Sequence, residues 1–267
     1  MIRWIRVAVA LVLALALSAS VYWGYTLFLL ATGLIVFGVA YGWPRLTDSP
    51  QPRATSIMLA LFGVVGLLAA WRDDSAPYLD WLPVLAGLGL LWVFVQNLTR
   101  GIGASDAVAN VSAQVTGIVI VLSASTWVAA ITVPGDKEAI VVGLIALIVA
   151  GCMTALPWPA IYTSPLAVAM STAVAGILSV LVLENSLSLP ASLVLGAVMG
   201  LLVAAVDRML GLVAHAKYQA VNLELSQNIE LKKNVEKARS FAVQLALGAT
   251  PIALGGVVVY SLERIAL

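Results

Sequence analysis

Charge is what this sequence has least of. Asp, Glu, Lys and Arg make up only 10% of its 267 residues while 62% are hydrophobic, against roughly 25% charged in a soluble domain. With a mean hydropathy of +1.04, the chain lacks the polar surface that a fold in water requires. Cysteine is nearly absent too. Cys152 alone excludes an intrachain disulfide and a multi-cysteine metal site, and in its apolar run it reads as a small buried thiol. A single histidine, His215, cannot build a metal centre. The sequence shows no Ser/His/Asp set, no metal-ligand spacing and no paired acids inside an apolar run. Neither an enzyme, a cofactor nor a nucleic-acid partner is expected, and the net charge of +1 by itself says nothing.

What is there instead is apolar length. About 20 apolar residues cross a hydrocarbon core of about 30 Å, and lipid tolerates only helices or closed barrels. Barrel strands alternate apolar and polar residues. Residues 141–150 and 193–206 do not alternate, so the fold class is all-α, a polytopic transmembrane bundle of about nine helices. The expected spans are 4–20, 25–42, 56–71, 81–95, 111–133, 139–156, 166–183, 190–206 and 241–260.

The placement of the few charges sets the orientation, because Lys and Arg stay cytoplasmic. With the N-terminus inside, the cytoplasmic segments hold Arg3, Arg6, Arg45, Arg53, Arg100, Arg208, Lys217, Lys232, Lys233, Lys237 and Arg239. Only Arg72, Lys137 and Arg264 fall outside, where most acids lie, and every acid is expected in a loop or at a helix end. The chain then reads as a multi-pass protein of a bacterial plasma membrane with its C-terminus outside. The first span has a rival reading as a signal peptide, with Arg3 and Arg6 before an apolar stretch and Ser18-Ala19-Ser20 after it. Serines at both small positions make a mediocre cleavage site, which favours retention.

A repeat organises the remainder. Trp43-Pro44 recurs as Trp158-Pro159 and Ser49-Pro50 as Ser164-Pro165 at one shared offset; Pro83 then answers to Pro190, Arg100 to Arg208 and Gln114 to Gln244. The expected domains are an N-terminal helix (1–20) and two four-helix repeats (21–138 and 139–267). An even number of spans per repeat makes them parallel, about a pseudo-axis along the membrane normal. Pro44 and Pro159 are expected to end one helix, and Pro50 and Pro165 to open the next.

No ionisable residue is expected mid-span, so the candidate cavity-lining residues are uncharged: Gln114, Ser125, Gln244 and Thr250. The two glutamines, matched by the repeat, are the best candidates to line a shared central cavity, and the permease-like reading requires a cavity or lateral groove at the pseudo-axis beside them. Residues 207–240 are the one substantial segment outside the bilayer. Leu210, Ala214, Tyr218, Val221 and Leu225 form a helical stripe, and Ser226-Gln227-Asn228 is the expected break, with Asn228 as N-cap. A cytoplasmic helical hairpin extending the last two spans follows. Arg208, Lys232, Lys233, Lys237 and Arg239 are its candidate headgroup or partner contacts, with Asp207-Arg208 read as an interfacial ion pair.

Two functions compete. One is a permease-like protein handling an apolar or lipid-like solute between the repeats. The other is a non-enzymatic accessory or scaffold protein of the envelope that recruits a cytoplasmic partner through 207–240. Membrane lipids are partners in both. The orientation is checked by reporter fusions: alkaline phosphatase should be active after Leu267 and inactive within 207–240, and the reverse pattern would overturn it.

Overall fold

The computed structural model describes residues 2–72, 79–99, 107–132, 137–182, 188–224 and 229–266, with side chains described except at 2–3, 182, 211–224, 229–240 and 266. Among the described residues every element is a helix: α1 (Ile2–Trp23), α2 (Tyr25–Leu46), α3 (Pro52–Arg72), α4 (Leu82–Leu98), α5 (Ala107–Ser123), α6 (Ser125–Thr132), α7 (Lys137–Thr154), α8 (Ala160–Val182), α9 (Leu189–Glu224) and α10 (Ile229–Ala266). Eight stretches are long and apolar enough to cross a membrane, α5 and α6 together forming one of them. The shorter α4 is apolar too and about 25 Å long. Its first residues share a trough with the end of α3, and Asn97 near its last residue bonds to Asn110 at the start of α5. The chain is thus an integral membrane protein of antiparallel passes. One face gathers Arg6, Arg45, Asp207 and Arg208 and is called the basic face.

The centre is α10. It packs most extensively on α2 and also meets α1, α5, α6, α7 and α9, and its span is the most buried of all. Without a hydrophobic drive between helices in lipid, close approach depends on small residues. At Gly42 a Cβ would come 2.8 Å from the Ala246 nitrogen and closer still to the Ala242 carbonyl oxygen, so α2 and α10 touch backbone to backbone. The Gly196-x-x-x-Gly200 pattern does the same for α9 against Ala167, Val168 and Ser171 of α8, and the Ser171 hydroxyl donates to the Gly196 carbonyl at 2.8 Å.

The first helix is built into this bundle. Ala14, Leu17 and Val21 are buried, α1 packs on α10, α2 and α7, and Arg6 pairs with Asp207 of α9. A single residue, Gly24 at φ +129°, turns α1 into α2, a conformation that glycine adopts without a Cβ penalty.

Several local expectations are corrected. Pro44 does not end its helix: α2 runs on to Leu46, because the buried Trp43 anchors the last turn by donating its indole N–H to the Ala113 carbonyl at 2.8 Å. Pro165 does not open a helix either. It sits inside α8, which begins at Ala160 just after Pro159; only Pro52, at the head of α3, opens a helix in the first of these turns. The expected span 111–133 is divided at Ala124. There the Ser125 and Thr126 hydroxyls donate to the Leu122 and Ser123 carbonyls, and such back-bonding competes with the helix ladder. The matched tryptophans also differ, Trp43 being buried and Trp158 exposed. Likewise α8 lies along α9 over its length, whereas α3 barely meets α4.

Both α9 and α10 continue as helices past their apolar stretches, α9 from Leu210 to Glu224 and α10 from Ile229 to Phe241. Each extension projects about 20 Å at 1.5 Å per residue. The expected break at 226–228 lies outside the described residues.

The contact at Gly42 generates a matched test within one helix. Gly42→Ala should cost about 1–3 kcal/mol of stability by overpacking. Gly33→Ala, where a Cβ meets nothing within 4 Å, should be neutral within about 0.5 kcal/mol. Thermal unfolding of both variants in detergent checks the contrast.

Candidate functional site

The best-defined polar cluster lies near the basic face, where the α2–α3 turn meets the ends of α4 and α5. Asn110 and Gln114, one turn apart, share a face of α5. Ser49 Oγ donates to Asn110 Oδ1 at 3.3 Å, and Asn110 Nδ2 to Asn97 Oδ1 at 2.7 Å. Asn97 Nδ2 then donates to Gln114 Oε1 at 3.1 Å, and Gln114 Nε2 to Thr55 Oγ1 at 3.2 Å. Thr55 and Ser49 close the ring at 3.0 Å. The Ser49 proton is already given to Asn110 and a hydroxyl has only one, so Thr55 must donate in this last bond. Each of the five members then donates once and accepts once around the ring. It is neutral, and in lipid a partly satisfied ring would be costly. Its chemical capacity is therefore to fasten four chain segments together.

Gln114, 1% exposed, is thus committed at both ends of its amide to α3 and α4. Ser125, fully buried, donates to Leu122 and faces Gly66 of α3. Gln244 and Thr250 are buried in α10. The first two are turned toward α3 and the second two belong to α10, where Trp127 of α6 donates its indole N–H to the Ile252 carbonyl at 2.8 Å.

At the basic face Asp207 and Arg208 part company. Asp207 pairs with Arg6. Arg208 donates from Nε to Ser164 Oγ at 2.9 Å and from Nη2 to the Ala160 carbonyl at 3.0 Å, clamping α9 to the first turns of α8. Beneath the Arg6–Asp207 pair is a cavity of about 40 Å³ whose walls include Thr154, Leu247, Gly248 and Pro251. The side chains of Lys232, Lys233, Lys237 and Arg239 lie outside the described residues.

Glu263 stands in the last turn of α10, a helix end as expected, and its side chain is buried, 4% exposed. Among the described residues no group of three or more His, Cys, Asp or Glu side chains is arranged to hold a metal ion.

One wide opening among the described residues is lateral. A groove of about 660 Å³ runs between α1, α2 and α3 on the half of the bundle away from the basic face. Its walls include Ala16, Trp23, Leu30, Gly33, Phe37 and Leu67, and the Ser20 hydroxyl and Trp23 indole N–H are the polar groups among its lining side chains. The Ser20 hydroxyl is spent on the Leu17 carbonyl at 2.7 Å. The exposed Tyr22 and Trp23 at its end mark the interface level, where amphipathic rings settle. No family model matches the chain, and neither a curated protein nor a solved structure is significantly similar to it.

The ring generates a double-mutant cycle. Asn97→Ala and Asn110→Ala should each cost about 1 kcal/mol in reversible unfolding. The double variant should cost about 1 kcal/mol less than the two together, because they share one bond.

Proposed function

We propose that this is a permease-like membrane protein handling an apolar or lipid-like solute, with the α1–α2–α3 groove as its seat. One observation carries the reading: a volume of about 660 Å³, within the range of small-molecule sites, whose lining offers a solute almost nothing but hydrocarbon. The groove is reached sideways from the lipid, so an apolar solute enters it without crossing water. The central glutamines were the expected seat, but the engagement of Gln114 with Thr55 and Asn97 favours the lateral groove over a path between the repeats. The sequence match of the turn residues favours a duplicated four-helix unit as the scaffold, although the two turns fold differently. The clustering of Arg6, Arg45 and Arg208 on one face supports a plasma-membrane protein with that face in the cytoplasm.

A second reading rests on the paired extensions of α9 and α10. As an accessory protein without enzymatic activity, the chain would present 207–240 to a cytoplasmic partner, with Lys232, Lys233, Lys237 and Arg239 against it or against anionic headgroups.

Proteoliposomes with a short-chain fluorescent lipid separate the two. The permease-like reading expects faster exchange between leaflets than in protein-free vesicles, slowed severalfold by Gly33→Trp, which fills the groove. Replacing 211–239 by a short linker should leave that exchange intact. Exchange no faster than in empty vesicles would overturn the reading.

A further inference from the structure

The groove is one of two troughs flanking the same stretch of α3. The second, about 380 Å³, lies between the ends of α3 and α4 and is lined by Val65, Leu68, Ala69, Arg72, Trp81 and Leu85. Leu68 lines both, so the two troughs meet over one exposed leucine. Arg72 is the one charged residue among the lining residues of either trough. Trp71 and Trp81 are exposed beside it, as are Tyr22 and Trp23 at the end of the groove. These rings set the headgroup level at this edge of the bundle. Arg72 is exposed and lines the trough, and an arginine's long stem can lie on apolar surface while its guanidinium stays at that level. Asp80, next to Trp81, is exposed but does not line it.

Cations are scarce on this side, where only Lys137 and Arg264 accompany Arg72. An arginine fork at the rim of an apolar trough matches phosphate oxygens in geometry as well as charge. We infer that the paired troughs bind an anionic phospholipid of the surrounding leaflet, its phosphate on Arg72 beside Trp81 and an acyl chain over Leu68 into the α1–α2–α3 groove. The inference rests on the groove being the seat of a lipid-like solute, and it adds the charge and position of the headgroup. The trough opens at the interface, where membrane lipid is the ligand present at highest concentration, and its walls leave a free, fully soluble anion nothing but Arg72 to hold.

Native mass spectrometry of the full chain tests this by counting lipids retained from phosphatidylglycerol and from phosphatidylcholine with the same acyl chains. Phosphatidylglycerol should bind more tightly. Arg72→Gln should weaken it about fivefold, the equivalent of the ~1 kcal/mol that one basic residue contributes near a membrane surface, and leave phosphatidylcholine unchanged. Arg72→Lys should retain part of the preference, and Arg264→Gln, a cation on the same side, should retain all of it. Leu68→Trp should displace both lipids, with thermal unfolding confirming that each variant is folded. An equal response to Arg72→Gln and Arg264→Gln, or no preference for phosphatidylglycerol, overturns the headgroup assignment while leaving the groove reading in place. Retention of both lipids in Leu68→Trp and Gly33→Trp alike overturns both.

Discussion

Over the depth of the hydrocarbon core there is no water to take up a polar group, and most of this molecule's internal detail answers to that lack. Backbone groups are satisfied within helices. Most polar side chains that enter the bundle find carbonyls or one another, the buried Tyr25 and Thr250 hydroxyls being exceptions among the described residues. Trp43 and Trp127, on different helices, spend their indole N–H groups on carbonyls of α5 and α10. Serines and threonines bond back to their own helix, and at Ala124 this divides a span in two. Five side chains from four segments close a ring whose donors and acceptors balance. The Arg6–Asp207 pair obeys the same rule at the basic face, tying the first helix to the ninth.

The same lack of water removes the hydrophobic drive for one helix to bind another. Cohesion comes from contact, and contact from small residues. Gly42 lets α2 lie directly on α10, and Gly196 and Gly200 let α9 lie on α8. Where the opposed surface is absent, as at Gly33, the helices part and the lateral groove opens. A groove bounded by three consecutive helices thus arises from where small residues have partners and where they do not.

Function follows from how these features are distributed. The middle of the bundle is close-packed and hydrogen-bonded, which suits a rigid frame. Openings lie on the flank, at α1 to α4, at a depth where lipid chains reside and beside the rings that mark the headgroup level. The long extensions of α9 and α10 lie on the far side of the bilayer from that edge, so the two regions are separated by the full membrane.

Composition, apolar run lengths and the lack of alternation determined by themselves that the chain is a bundle of membrane-crossing helices, because length against bilayer thickness needs no tertiary information. The extension of the last two spans into a helical pair was also legible, since a stripe at three-to-four spacing outside an apolar run has few other meanings. Turn chemistry was less so. Proline predicts a helix boundary only where nothing holds the next turn, and at Pro44 the packing of Trp43 holds it. The ring was half legible: Gln114 was singled out among the uncharged polar residues of a span, but Ser49, Thr55, Asn97 and Asn110 stood in segments read as turns or loops. The spacing of Asn110 and Gln114 on one helical face was the available signal. Only the tertiary structure decided that Gln114 faces α3 and α4, that Glu263 is buried and that the open volume lies beside α2. Each depends on which helix becomes a neighbour, and in lipid that choice is made by shape and hydrogen bonding rather than by hydropathy.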